Sequence, residues 1–167
     1  MAKTLPFQII HQKQKFMKTE NSSIPMLKVS FVPKTCPSER KQVTQSYEVY
    51  DLSKEIWDPN TIMLFEEFKA IFLDRRNGVI GWRMTGLGST DQVIANVQLI
   101  FAIAVQCNAS SLILVHNHPS SSLTPSQSDI DLTNRICEGC KLFNIKLLDH
   151  LIITKDKYYS FSDEGML

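Results

Sequence analysis

Two imidazoles and a carboxylate stand close together in this chain. The run is His116-Asn117-His118-Pro119, followed by Ser126 and Asp129. In an extended segment, residues i and i+2 point to the same side. His116 and His118 can therefore face one ion while Asn117 points away. Asp129 follows His118 by eleven residues, where the first turn of a helix can reach back over a loop. Two imidazoles with a hard carboxylate suit Zn²⁺ among the divalent ions. Three protein ligands with an open fourth position mark a catalytic zinc site, whereas structural sites are closed by four. The chemistry so implied is hydrolysis.

Each of these residues also has a purely structural reading. The histidines could be loop residues bonded to their neighbours. Ser126-x-x-Asp129 has the form of a helix capping box, with Thr124-Pro125-x-Gln127 as a competing helix start. An acid in the first turn also suits the helix dipole. In a site, the Ser126 hydroxyl would donate to an oxygen that gains charge in a tetrahedral intermediate.

A zinc hydrolase needs a general base as well. Glu66 and Glu67 are adjacent candidates at the start of a strand expected over 65–73. Glu66 shares a face with Phe68, Ala70 and Phe72, the apolar set. Glu67 shares a face with Lys69, which reads as the more solvated side. A carboxylate on an apolar face is costly without a task or partner. Glu66 is therefore chosen, with Glu67 as the alternative.

The elements that must hold these residues follow from patterning. Asp74-Arg75-Arg76-Asn77-Gly78 is a turn, since Asn-Gly is a strong hairpin signal, and 79–84 is the returning strand. An apolar stripe of Val93, Val97, Ile100, Phe101, Ala104 and Val105 predicts a helix over 91–107. A buried strand over 111–115 ends at His116. A Ser- and Pro-rich loop at 119–125 leads to a helix over 126–143. Strands at 146–154 and 157–161 are joined by a turn at Lys155-Asp156. The order predicts an α/β fold, an α-β-α sandwich around a mixed sheet.

The chain has 167 residues, with 18 Lys and Arg against 17 Asp and Glu. That length suits one domain with a core, and the charge balance exerts no global pull on nucleic acid or membrane. No apolar run is long enough for a transmembrane helix, and no signal peptide is read at the N-terminus. Residues 1–45 read as an irregular, basic arm with a short strand over 27–32, ahead of a domain over 46–167. The four cysteines are too few for a disulfide framework, so a cytoplasmic setting is expected. Cys137-x-x-Cys140 falls on the second expected helix and reads as structural. His150, beside Asp149, reads as a bonded core histidine or as a supporting partner of the site.

The constellation resembles the JAMM (JAB/MPN) metalloprotease motif, an upstream Glu followed by His-x-His-Pro, seven residues, Ser, two residues and Asp. More narrowly it is similar to the RadC family. The stretches that carry this are Glu66-x-Phe68, Leu73-Asp74, Asn108-Ala109, His116-Asn117-His118-Pro119-Ser120, Pro125-Ser126-x-x-Asp129, Leu148-Asp149-His150 and Tyr159-Ser160-Phe161. The resemblance covers about 46–167. It implies a JAB/MPN, cytidine-deaminase-like fold and one Zn²⁺ held by His116, His118 and Asp129. It also implies Glu66 as acid/base, Ser126 as oxyanion helper, and hydrolysis of a peptide or isopeptide bond in a protein substrate. Two positions depart from the family. Asn96-Val97-Gln98 stands where many relatives have Pro-Arg-Glu, and Ser121 stands where many have Gly.

Two other functions compete. One is a DNA-repair-associated accessory module, favoured by the basic arm (Lys13, Lys15, Lys18, Lys28, Lys34, Arg40, Lys41) and disfavoured by the neutral charge. No helix-hairpin-helix region is read ahead of the domain. The other is a protein-interaction module, which would have no need of a complete ligand set.

Overall fold

A computed structural model describes residues 31–32, 35–88 and 94–167. The sheet is built from β1 (Glu67–Leu73), β2 (Val79–Leu87), β3 (Ser111–Asn117), β4 (Lys146–Ile153) and β5 (Tyr158–Ser160), and the helices are α1 (Ser46–Ile56), α2 (Val97–Gln106) and α3 (Gln127–Leu142). The strand order is β2-β1-β3-β4-β5. β3 and β4 are parallel and every other pair is antiparallel. A parallel pair needs a crossover connection, and α3 supplies it.

The strand period divides the core in two. Phe68, Ala70, Phe72, Leu112 and Leu114 face α2 and α3, where they meet Ile100, Ala104, Ile136 and Cys140. Ile71, Leu73, Ile113, Val115, Leu151 and Ile153 face α1 and meet Val49, Tyr50 and Leu52. β1 and β3 are buried along their whole length. The architecture is thus an α-β-α sandwich around a mixed sheet. No helix among the described residues is long and apolar enough to cross a membrane.

Patterning alone did not reveal α1. Its signals are local all the same. Val49, Leu52, Ser53 and Tyr50 are its buried residues, a helical spacing. The Glu48 carboxylate accepts from Thr44 N–H at 2.6 Å and Gln45 N–H at 3.1 Å, closing the first turn. The helix expected over 91–107 starts late. Residues 91–93 lie outside the described residues, and 94–96 are not helical. Asn96 is the reason: its Oδ1 accepts from Leu99 N–H at 2.9 Å, and its own N–H donates to the Thr85 carbonyl at 2.8 Å. An N-cap bonded back to β2 cannot also be helix interior. Both α2 and α3 end in paired Schellman bonds with Asn108 and Asn144 at positive φ, Asn being a tolerated substitute for Gly there. β2 runs three residues past the expected 79–84, and β5 is shorter than the expected 157–161.

Most of the expected arm, including 27–30 of its strand, lies outside the described residues. The described part beyond residue 40 joins the domain. Gln42 bridges to Gly78, Val79 N–H donates to the Lys41 carbonyl at 2.8 Å, and Val43 is buried in the α1-side core. The hub of this contact is Asp74. Its carboxylate takes Arg40 Nη1 at 2.9 Å and the N–H groups of Arg76 and Gly78, each at 2.9 Å. A Cβ on Gly78 would lie 2.8 Å from Asp74 Oδ2, so a side chain there would push the carboxylate off its partners.

Partial burial pushes the Asp74 carboxyl up, but Arg40 and the two N–H groups outweigh it and hold it below its ordinary value. This contribution is therefore present above the ordinary carboxylate range and is lost as pH falls through the lowered value. Asp74→Ala should cost about 1–3 kcal/mol at neutral pH. Urea unfolding should show the difference from wild type shrinking in acid.

Candidate metal centre

The antiparallel register of β1 and β3 pairs Phe68 with His116. Continued by two residues, that register sets Glu66 beside His118, and Glu66 Oε1 lies 3.5 Å from His118 Nε2. The two stand 52 positions apart in the sequence, and one strand pairing closes the gap. Ligand atoms of Glu66, His116 and His118 all lie within 4.8 Å of one another. Asp129 reaches both imidazoles, with Oδ1 3.3 Å from His116 Nε2 and Oδ2 3.7 Å from His118 Nε2.

Asn117 points to the opposite face and is fully buried. Its Oδ1 accepts from Glu67 N–H at 2.8 Å, and its Nδ2 donates to the Ile62 and Phe65 carbonyls, each at 2.7 Å. The residue between the two histidines thus grips the backbone on both sides of Glu66. This role was not foreseen in the sequence, although a polar residue inside a buried strand demands partners.

Glu67 and Lys69 do not face solvent as expected. Both are buried, because α1 and the segment after it cover that face. Lys69 Nζ lies 2.7 Å from Glu67 Oε2, 2.9 Å from the Ile56 carbonyl and 3.6 Å from the centre of the Trp57 ring. Thr61 also donates to Glu67 at 3.0 Å. Glu67 is committed to this ion pair on the α1 side, whereas Glu66 lies beside His118.

Ser126 caps α3. Its N–H and its hydroxyl donate to Asp129 Oδ2 at 2.8 and 2.6 Å, and its Oγ accepts from Asp129 N–H. The capping box and the site are the same residues. The cap turns the Asp129 carboxylate, and the carboxylate's other oxygen faces His116. Ser126 also lines, with Glu66, His118, Pro119, Ser122 and Thr124, a cleft of about 250 Å³. A larger cavity of about 330 Å³ lies on the α1 face near Val43, Ile113 and Asp163; no imidazole or thiol lines it.

The electrostatics favour a cation. Burial pushes the Asp129 carboxyl up, but the imidazoles of His116 and His118 beside it outweigh that and hold the group far below the usual carboxylate range. Burial pushes His116 down. It also pushes His118 down, but Asp129, the Ser122 carbonyl and Glu66 outweigh it and raise His118. His118 Nδ1 lies 2.9 Å from the Ser122 carbonyl, which can only accept. A neutral His118 therefore turns the lone pair of Nε2 into the cluster, 2.9 Å from His116 Nε2. Lone pairs and carboxylate oxygens converge there, and only a proton or a cation can lie among them. A tetrahedral ion with bonds of about 2.0–2.1 Å has ligand atoms about 3.3 Å apart. The distances of 2.9, 3.3 and 3.7 Å bracket that value. The donor set fits a divalent metal ion.

The family model for the RadC-like JAB domain matches residues 43–166. The chain belongs to the RadC-like JAB domain family. A UPF0758 protein of Flavobacterium johnsoniae is 39% identical over 126 residues, 75% of this chain and 54% of that protein. One of Fusobacterium nucleatum is 43% identical over 102 residues, 61% of this chain and 44% of the relative. One of Aquifex aeolicus is 31% identical, covering 77% of this chain and 54% of its own length. This RadC-like chain spans about half the length of the curated relatives it matches.

The cysteines stand apart from this centre. Cys140 is buried in the core, and burial pushes its thiol up to about 12, the reverse of a reactive or ligating thiolate. Cys137-x-x-Cys140 is part of the packing of α3.

Ser121 has φ +63°, in the left-handed region that favours glycine. It donates its N–H to the His118 carbonyl at 3.0 Å, so it shapes the turn that brings the Ser122 carbonyl under His118. Ser121→Gly relieves that strain, partly offset by chain entropy, and should stabilise by about 0.5–1 kcal/mol. Thermal unfolding should rise by about 1–4 °C. Glu67→Gln leaves the Lys69 charge buried without its counter-ion and should cost about 3–5 kcal/mol. In metal-free protein that loss should exceed the loss from Glu66→Gln, as read by denaturant unfolding.

Proposed function

We propose that this domain is a zinc-dependent metallohydrolase of JAMM type that cleaves a peptide or isopeptide bond in a protein substrate. The observation that carries this reading is the convergence of His116, His118, Asp129 and Glu66 beside one cleft, which Glu66 and His118 line, with lone pairs and carboxylates turned toward one another. His116, His118 and Asp129 would hold the ion. Zinc, when bound, polarises a carbonyl and lowers the pKa of a coordinated water.

The remaining work falls to the chain's own groups. Glu66, beside His118, accepts the proton of the attacking water and returns it to the departing amine nitrogen, which as an anion is too basic to leave. Its buried setting suits a carboxylate that must both take and give. The Ser126 hydroxyl donates to the carbonyl oxygen as that oxygen gains charge. To do so it must turn from Asp129 Oδ2, where its proton now rests. The cleft is shallow and walled by Pro119, Ser122 and Thr124, which suits an extended chain better than an enclosed small molecule.

Zinc quantification on protein purified without a metal-binding tag tests the reading. Wild type should carry one equivalent and His118→Ala none. Glu66→Gln should keep its zinc and lose turnover on peptide or isopeptide substrates by at least about a hundredfold. Full zinc content in His118→Ala would overturn the ligand assignment.

A further inference from the structure

His150 lies behind His116 and away from the cleft. Its ring is fully buried, stacked on Phe161 at 4.7 Å and tilted against Phe68 at 5.5 Å. Its two nitrogens have one polar contact each. Nδ1 is 2.6 Å from Thr133 Oγ1, and Nε2 is 2.8 Å from His116 Nδ1.

These contacts determine where each proton sits. The Thr133 hydroxyl has one proton and lies 2.6 Å from the Asp129 carbonyl oxygen. A carbonyl only accepts, so Thr133 donates to it and can only accept from His150. His150 therefore carries a proton on Nδ1. A second proton on Nε2 would place a charge in the interior with no carboxylate on the ring, which is strongly unfavourable. Nε2 is then an acceptor, and the 2.8 Å contact requires the proton of His116 Nδ1. A neutral His116 has no proton left for Nε2, which lies 2.9 Å from His118 Nε2 and 3.3 Å from Asp129 Oδ1.

We infer that Thr133 and His150 are positioning residues that lock His116 in the tautomer whose Nε2 lone pair faces the centre. The inference rests on the metallohydrolase reading for its purpose, though not for its geometry. Asp129 and Thr133 are four residues apart on α3. The same helical turn thus supplies the carboxylate and, through two hydrogen bonds, directs a histidine on β3. The opposite tautomer would put a proton where the ion is to sit. The fully buried ring of His116 has no solvent through which to correct it. Partners of this kind typically contribute about 10–100-fold to metal affinity.

The test uses the full chain, metal-free and ¹⁵N-labelled at histidine. The chain has four histidines, few enough to assign by single substitution, and two-bond ¹H–¹⁵N spectra report which nitrogen is protonated. We expect His116 and His150 both protonated on Nδ1. A proton on Nε2 of His116 overturns the inference. Zn²⁺ affinity, measured by chelator competition, should fall about 10–100-fold in Thr133→Val and stay within about threefold of wild type in Thr133→Ser. Equal affinities in Thr133→Val and wild type also overturn it. Should Thr133→Val fail to fold, the wild-type spectrum and Thr133→Ser decide. A wild-type chain that takes up no zinc, yet shows the expected tautomer, sinks the metallohydrolase reading and leaves the proton assignment standing.

Discussion

The site depends on the three hydrogen bonds of the Asn117 side chain. Asn117 is buried between two histidines, and it binds the backbone at residues 62, 65 and 67. A buried amide left unpaired costs more than the net gain of the bonds it makes. The chain entering β1 is therefore held against the end of β3. Glu66 lies between two gripped positions, and its carboxylate comes beside His118. The alternation of a strand makes this division of labour possible. Even-numbered residues of β3 and its extension carry the imidazoles, and the odd-numbered one carries the clamp.

That division extends through both central strands. On the α2/α3 side, Phe68 stacks on His116 with ring centres 5.8 Å apart, and apolar residues fill the space behind. On the α1 side, Glu67 and Lys69 neutralise each other beneath Trp57. Two adjacent glutamates thus have opposite fates. One charge is cancelled inside the fold and serves to hold α1 on the sheet. The other lies beside His118 and lines the cleft.

Several parts were readable from local pattern. The apolar run of β3 marks a buried strand, Asn77-Gly78 marks its hairpin, and Ser126-x-x-Asp129 caps its helix. Strand parity put Glu66 on the face of Phe68 correctly. The reason given for setting Glu67 aside, that Lys69 marks a solvated face, was wrong, since that inference required knowing what covers the sheet. α1 went unread because its apolar residues are few and interrupted by Asp51 and Lys54, although Val49 and Leu52 carry the spacing. The start of α2 was misjudged because Asn96 caps it through a bond to β2, a contact between distant parts of the chain. The RadC-like JAB membership of residues 43–166 agrees with the motif spacing.

By itself the sequence determined which residue types could meet an ion and on which face of a strand or turn of a helix each would stand. Those are consequences of the two-residue and 3.6-residue periods, which need no distant partner. Only the tertiary structure decided that Glu66 sits opposite His118, that Asn117 is the clamp between them, and that Thr133 and His150 stand behind His116. Each depends on a pairing register or a packing distance between segments tens of residues apart. Such a distance is set by how the whole sheet and its two helical layers close.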